Sequence, residues 1–226
     1  MSLTLAWPAA LTTFAVVAAY EAWLVLAQRR QPERLVRAAH ASLREEWFAA
    51  VSAQQGSEIL AVQTLRNSLM TASMTASTAV LGLMGTVTLA APSLQAGFGA
   101  EGGAGLAFTP RLALELVLLA LLFASLVASV MATRYYNHAG FVAGSPVGSD
   151  VRRRWAAAGT AYVRRAGLLY SWSLRHLVLV VPVVAFILYP LAGPIAAILV
   201  VGVLYRVDHP SDLLQPADAD SSSPRT

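Results

Sequence analysis

From Asn67 to Ala91 the chain runs for 25 residues without a charge. At 1.5 Å per residue, about 20 residues cross a hydrocarbon layer roughly 30 Å thick. One helix here is therefore long enough to span a bilayer. Its pattern narrows the reading further. Thr64, Ser68, Thr71, Thr75, Thr78, Gly82 and Gly85 follow at alternating spacings of 4 and 3, which puts all of them on one stripe of that helix. Leu69, Met70, Met74, Val80, Leu81, Leu83 and Met84 make the rest of the barrel bulkier and apolar. Two readings fit the stripe. Small hydroxyl residues let helices approach closely and bond their own i−4 carbonyls or a neighbour. The same hydroxyls can also line a polar path, replacing part of a solute's hydration shell.

Composition agrees with the span. The 226 residues are 57% hydrophobic and 12% charged, where soluble chains carry about 25% charge. The chain reads as an integral membrane protein, all-α, a polytopic helical bundle. The net charge of +4 comes from sixteen arginines without a lysine. These flank apolar spans, so a membrane partner explains them better than nucleic acid. The absence of cysteine excludes a thiol nucleophile, an iron–sulfur cluster, a cysteine zinc site and a disulfide. The first apolar segment lacks a basic leader and a small-residue cleavage site, so it reads as a retained span.

Four spans are predicted, at about 5–27, 67–91, 112–133 and 176–205. Two cytoplasmic amphipathic helices are predicted at about 33–53 and 150–172, all within one membrane domain over 1–206, followed by a polar tail, 207–226, expected to be disordered. Pro32 suits the first turn of the first amphipathic helix, and Gly56 marks a break with Ser57 as N-cap. Residues 91–110 read as a glycine-rich connector. Arg111 and Glu115, four apart, are expected to pair. Ser125 and Ser129 make a second, shorter hydroxyl stripe. The fourth segment contains Pro182, Pro190 and Pro194, so it is expected to be tilted or broken. A re-entrant hairpin is the alternative, and would return the tail to the cytoplasmic side.

Thirteen of the sixteen arginines fall before spans 2 and 4. The positive-inside rule puts those segments in the cytoplasm, and the N-terminus and, with four full spans, the C-terminus outside. So oriented, Glu21, Arg66, Asn67, Arg134, Asn137 and His138 come to similar depth near the cytoplasmic ends of spans 1 to 3. An intramembrane carboxylate such as Glu21 needs a partner or a proton. Arg66 and Arg134 are placed to neutralise it, to ring an entrance and attract anions, or to clamp lipid phosphate. The group reads either as a hydrogen-bond network locking three helices or as the mouth of a path. Arg152, Arg153 and Arg154, beside Trp155, are expected at anionic lipid headgroups.

QTLRNSLM (Gln63 to Met70) and RYYNHAGF (Arg134 to Phe141) resemble the two most recognisable stretches of a family of bacterial and plant integral membrane proteins, known as a domain of unknown function. The resemblance implies a four-span protein with cytoplasmic helices, here in a bacterial inner membrane, and carries over no activity. Three functional classes follow. The first is a homo-oligomeric channel or carrier lined by span 2. The second is a non-catalytic scaffold or accessory subunit that uses the stripe as a packing seam. The third is a membrane enzyme, the weakest: the histidines at 40, 138, 176 and 209 form no HxxxH or HExxH, and GxSxG, CxxC and Walker patterns are missing. Haem ligation by His138 or His176 is the one cofactor reading; none is expected.

Overall fold

A computed structural model describes residues 3–30, 36–98 and 108–208. Residues 31–35, the glycine-rich segment 99–107 and the tail 209–226, each the subject of an expectation above, lie outside the described residues. Among the described residues the fold is six helices: α1 Leu3–Arg30, α2 Val36–Ala53, α3 Glu58–Phe98, α4 Pro110–Gly144, α5 Asp150–Leu188 and α6 Ala192–Asp208. Four of them, α1, α3, α4 and α5, are long and apolar enough to cross a membrane.

The ends of these helices are set by local chemistry. Gly56 takes φ +82 in the turn between α2 and α3, a conformation that costs glycine nothing. Ser57 stands at the N-cap position, its carbonyl accepting from Ala61 at 2.9 Å. Its hydroxyl does not cap α3. It donates back to the carbonyls of Gln54 and Val51, at 2.6 and 2.7 Å, and so closes the end of α2. Thr109 caps α4 ahead of Pro110, and Ser149 caps α5 through the Arg152 amide.

The antiparallel pair α4 and α5 is the centre of the bundle, and α3 lies along α4. Leu122 reaches over Gly82, and Val62 lies against Gly144. On the other flank α6 packs on α5 and α1 packs on α6. Two apolar clusters fill the interior. One joins Ala9 and Ala10 of α1 to Leu114, Leu118, Val183 and Phe186. The other, at the arginine-rich end, joins Phe48, Leu65, Tyr136, Val142 and Val163.

Two boundaries differ from expectation. The glycine-rich connector starts later than residue 91, because α3 continues through Pro92 to Phe98. The helix expected at 150–172 is no separate amphipathic element. It is the first half of α5, which runs unbroken through Arg175 and Pro182 to Leu188. Proline at 182 leaves that helix intact, since one missing donor is tolerated where neighbours pack around it. From Arg165 to Leu188 α5 covers roughly 35 Å, enough to cross the hydrocarbon.

The chain breaks instead at Tyr189, and α6 turns back along α5. Gly193 makes the return possible: a Cβ there would sit 2.7 Å from the Phe186 Cβ and from the Thr13 hydroxyl. α6 ends at Asp208 beside Arg175 of α5 and Tyr20 of α1. The described chain thus closes toward the end of α1 that carries Arg30, and not toward the end where Trp7 meets Phe108. The expected side of the C-terminus concerns the tail 209–226, which lies outside the described residues. The break at Tyr189 makes the last apolar segment two helices, as in the hairpin alternative.

α2 crosses the first half of α5 where two glycines open its surface. A Cβ on Gly159 would lie 2.7 Å from the Phe48 ring, and one on Gly167 would lie 2.3 Å from the Arg44 guanidinium. Glu45 pairs with Arg164 at 3.2 Å in the same contact.

Candidate functional site

The hydroxyl stripe of α3 runs along the border of its contact with α4. Thr64, Thr71, Thr78 and Gly85 are exposed, Ser68 and Gly82 are half-buried, and only Thr75, 8% exposed, is buried. The packed face of α3 is the adjoining one, with Ala61, Leu65, Ala72, Ala79 and Ala90 against α4. Alanine lets the α3 and α4 backbones approach without a polar group at the contact. Thr64, Ser68, Thr71, Thr75 and Thr78 each donate to the carbonyl four residues before, at 2.9–3.2 Å. Each hydroxyl proton is therefore satisfied within the helix.

The group expected around Glu21 is divided. Glu21 pairs with Arg175 of α5, Nε to Oε1 at 3.6 Å, and not with Arg66 or Arg134. Arg175, 4% exposed, also binds the Asp208 carboxylate. Its Nη2 donates to the Tyr20 hydroxyl at 3.4 Å, and that hydroxyl donates to Asp208 at 2.6 Å. The guanidinium carbon stands 5.3 Å from the Tyr20 ring centroid. This four-residue network ties α1, α5 and α6 together. The sequence reading missed it because it counted Arg175 with the cytoplasmic arginines, ahead of a span set to begin at His176. Only the return of α6 brings Asp208 to its level.

Arg66, Asn67, Arg134, Asn137 and His138 are all exposed. Arg66 and Asn137 both line a groove of about 270 Å3 between α3 and α4. His138 points elsewhere, its ring 5.7 Å from that of Tyr162. It borders a second groove, of about 400 Å3, with Phe141 and Trp155. His176 stacks on Trp172, at 5.9 Å. Tyr162 and His176 are fourteen positions apart on α5, so the two histidines considered for haem lie roughly 20 Å apart along it. Among the described residues no group of three or more histidine, aspartate or glutamate side chains converges as a metal site.

Arg152 is corrected from a headgroup ligand to a helix cap. It is buried, and its Nη1 donates to the last carbonyls of α4, those of Val142 and Ser145 at 2.9 Å and that of Ala143. Orphan carbonyls at a helix end recruit a cation in this way. Arg153 binds Asp150 and the Gly148 carbonyl, and Arg154 stays exposed.

Two further polar features sit between helices. Arg111 and Glu115 pair as the spacing implies, at 2.9 Å, with the glutamate wholly buried. Ser125 and Ser129 meet Ser173 of α5. Ser125 and Ser173 each donate to the other's carbonyl at 3.0 Å, and the Ser173 hydroxyl touches both partner hydroxyls. Ser173 carried no signal of its own in the sequence. We expect Ser173→Ala to lower the unfolding free energy in detergent by about 1–2 kcal/mol, at the upper end for interhelical hydroxyl bonds. Unfolding monitored by circular dichroism checks it.

Four apolar crossing helices, interhelical seams of serine and alanine, and a charge network closed on itself between helices define a membrane-embedded helical protein. Within that class the chain belongs to the family described as "Protein of unknown function, DUF599", whose model matches residues 9–213. No curated protein matches it. No solved structure matches it.

Proposed function

We propose that this protein is the subunit of a homo-oligomeric membrane channel or carrier for an ion or small solute, with the path formed between copies by α3. One observation carries the reading: four of the seven row positions, Thr64, Thr71, Thr78 and Gly85, are exposed on a single bundle, at the edge where α3 packs mainly on α4. Several copies arranged with α3 inward would gather these rows around an axis. The hydroxyl oxygens keep free lone pairs after bonding their own carbonyls, so the row offers acceptors to a passing solute. Arg66 and Arg134, exposed at the arginine-rich end, would surround the entrance and favour anions there.

The chain has no cysteine, so single cysteines can be introduced without background. Thr78→Cys is expected to cross-link between copies in membranes, and liposomes holding the protein are expected to pass ions or small solutes. A cross-link-free Thr78→Cys protein together with flux at the level of empty liposomes, across a broad panel, would sink the proposal.

A second reading, a non-catalytic scaffold or accessory subunit, is favoured by the self-satisfied hydroxyls. A row whose protons are already bonded can pack against another helix without a polar solute. It predicts a stable partner in mild-detergent pull-downs, and an assembly defect without a flux defect for Thr71→Val. In neither reading is the protein an enzyme.

A further inference from the structure

Four glycines of the helical bundle have a packing reason. Gly82, Gly159, Gly167 and Gly193 each have another residue's side chain, 2.3 to 3.0 Å away, where a Cβ would go. Gly85, Gly140 and Gly202, inside α3, α4 and α6, have nothing within 4 Å of that position, and of these Gly140 lines a groove. Glycine inside a helix costs about 1 kcal/mol relative to alanine, and no contact within this chain repays it. What Gly140 does is leave open the groove of about 270 Å3 between α3 and α4. Leu69 lies at the membrane end of that groove, and Val62 and Phe141 at its other end. Its polar side chains are those of Arg66 and Asn137. Arg66 makes no hydrogen bond or ion pair with any described residue, while Arg152 and Arg175 are tied down.

The groove's depth says what covers it. Arg66 is the last charge before the uncharged stretch 67–91. Its guanidinium therefore stands at the level of lipid phosphates, with an apolar wall continuing into the hydrocarbon beside it. We propose that this groove is a binding site for one anionic phospholipid, its phosphate held by Arg66 and Asn137 and its acyl chain laid along Leu69 over Gly140. A guanidinium fork matches two phosphate oxygens, and the asparagine amide adds a donor. The site uses the same Arg66 that the channel reading sets at the entrance, but it is read by lipid binding and the channel by flux, so the failure of one is distinguishable from the failure of the other.

The test uses the full chain in mild detergent, titrated with phosphatidylglycerol or phosphatidylcholine and read by native mass spectrometry. Wild-type protein is expected to hold one phosphatidylglycerol more tightly than phosphatidylcholine. Arg66→Gln should weaken phosphatidylglycerol about ten-fold, the value of a charge-assisted contact, and leave phosphatidylcholine unchanged. Gly140→Leu meets open space, so the fold should stand, and it should weaken both lipids by filling the groove. Arg30→Gln, an exposed arginine at the corresponding end of α1, should change neither. Equal loss in Arg30→Gln and Arg66→Gln would mean diffuse charge attraction and overturn the site. So would wild-type binding in Gly140→Leu, or displacement of the lipid by millimolar inorganic phosphate. A change of oligomeric state in Gly140→Leu would assign the groove to a protein neighbour instead.

Discussion

Replacing Arg175 by methionine is expected to unfold the C-terminal half of the bundle more readily than any other single change. The guanidinium is the counter-charge between Glu21 and Asp208, which come from opposite ends of the chain. Without it two carboxylates face a medium of low dielectric. Removing one partner of a buried charge pair costs about 3–5 kcal/mol, a large part of a typical folding free energy of about 5–15 kcal/mol. The melting temperature in detergent should fall by roughly 10 °C. The companion experiment separates lost charge balance from lost packing. Adding Glu21→Gln and Asp208→Asn to Arg175→Met removes the stranded charges, and should recover much of the loss. An Arg175→Met protein that melts with the wild type would show that the network does not hold α6 and α1 to α5.

Gly159→Val should release α2 from α5. The Phe48 ring is 1% exposed and sits where the new side chain must go, with Val142 Cγ1 at 2.9 Å behind it. Neither has room to retreat inside the cluster of Leu65, Tyr136 and Val163. Overpacking of this kind costs about 1–3 kcal/mol, and here it also frees the apolar face of α2. Limited proteolysis between α1 and α3 should accelerate. Pairing Gly159→Ala with Phe48→Leu exchanges volume across the contact and should recover most of the stability. Gly167 is a useful contrast. Its neighbour is the far end of the Arg44 side chain, which can swing away, so Gly167→Ala should cost less than Gly159→Val. If the two glycines proved equally tolerant, the docking of α2 would not depend on that close approach.

The three classes of residue that decide this structure were legible to different degrees. Crossing helices announce themselves, because a bilayer demands about 20 apolar residues in a row whatever they pack against. The stretch 67–91 could therefore be read directly, as could the arginine-rich flanks. Local polar chemistry was legible for the same reason of short range. Arg111 and Glu115, one helical turn apart, had little choice of partner. The hydroxyl row of α3 is split in the structure, with Ser68, Thr75 and Gly82 toward α4 and Thr64, Thr71, Thr78 and Gly85 exposed. Which way the face points was not legible, because a helix surface of serine, threonine and glycine suits a neighbour, a path or lipid equally. Alanines on the next face took the contact with α4.

Long-range charge pairing was the least legible. Depth along a helix can be counted, and it put Glu21 level with Arg66 and Arg134. Depth says nothing of azimuth, and α1 faces α6 and α5 while α3 faces α4. The sequence alone determined that this chain is a helical membrane protein and which of its surfaces are small. Tertiary structure decided that Arg175 is the partner of Glu21 and Asp208, that Arg152 closes a helix, and that the last apolar segment turns back at Tyr189. The physical reason is the same in each case. Hydrophobic length is a property of a segment by itself, whereas a counter-charge, a cap or a close helix approach exists only once two segments have chosen each other.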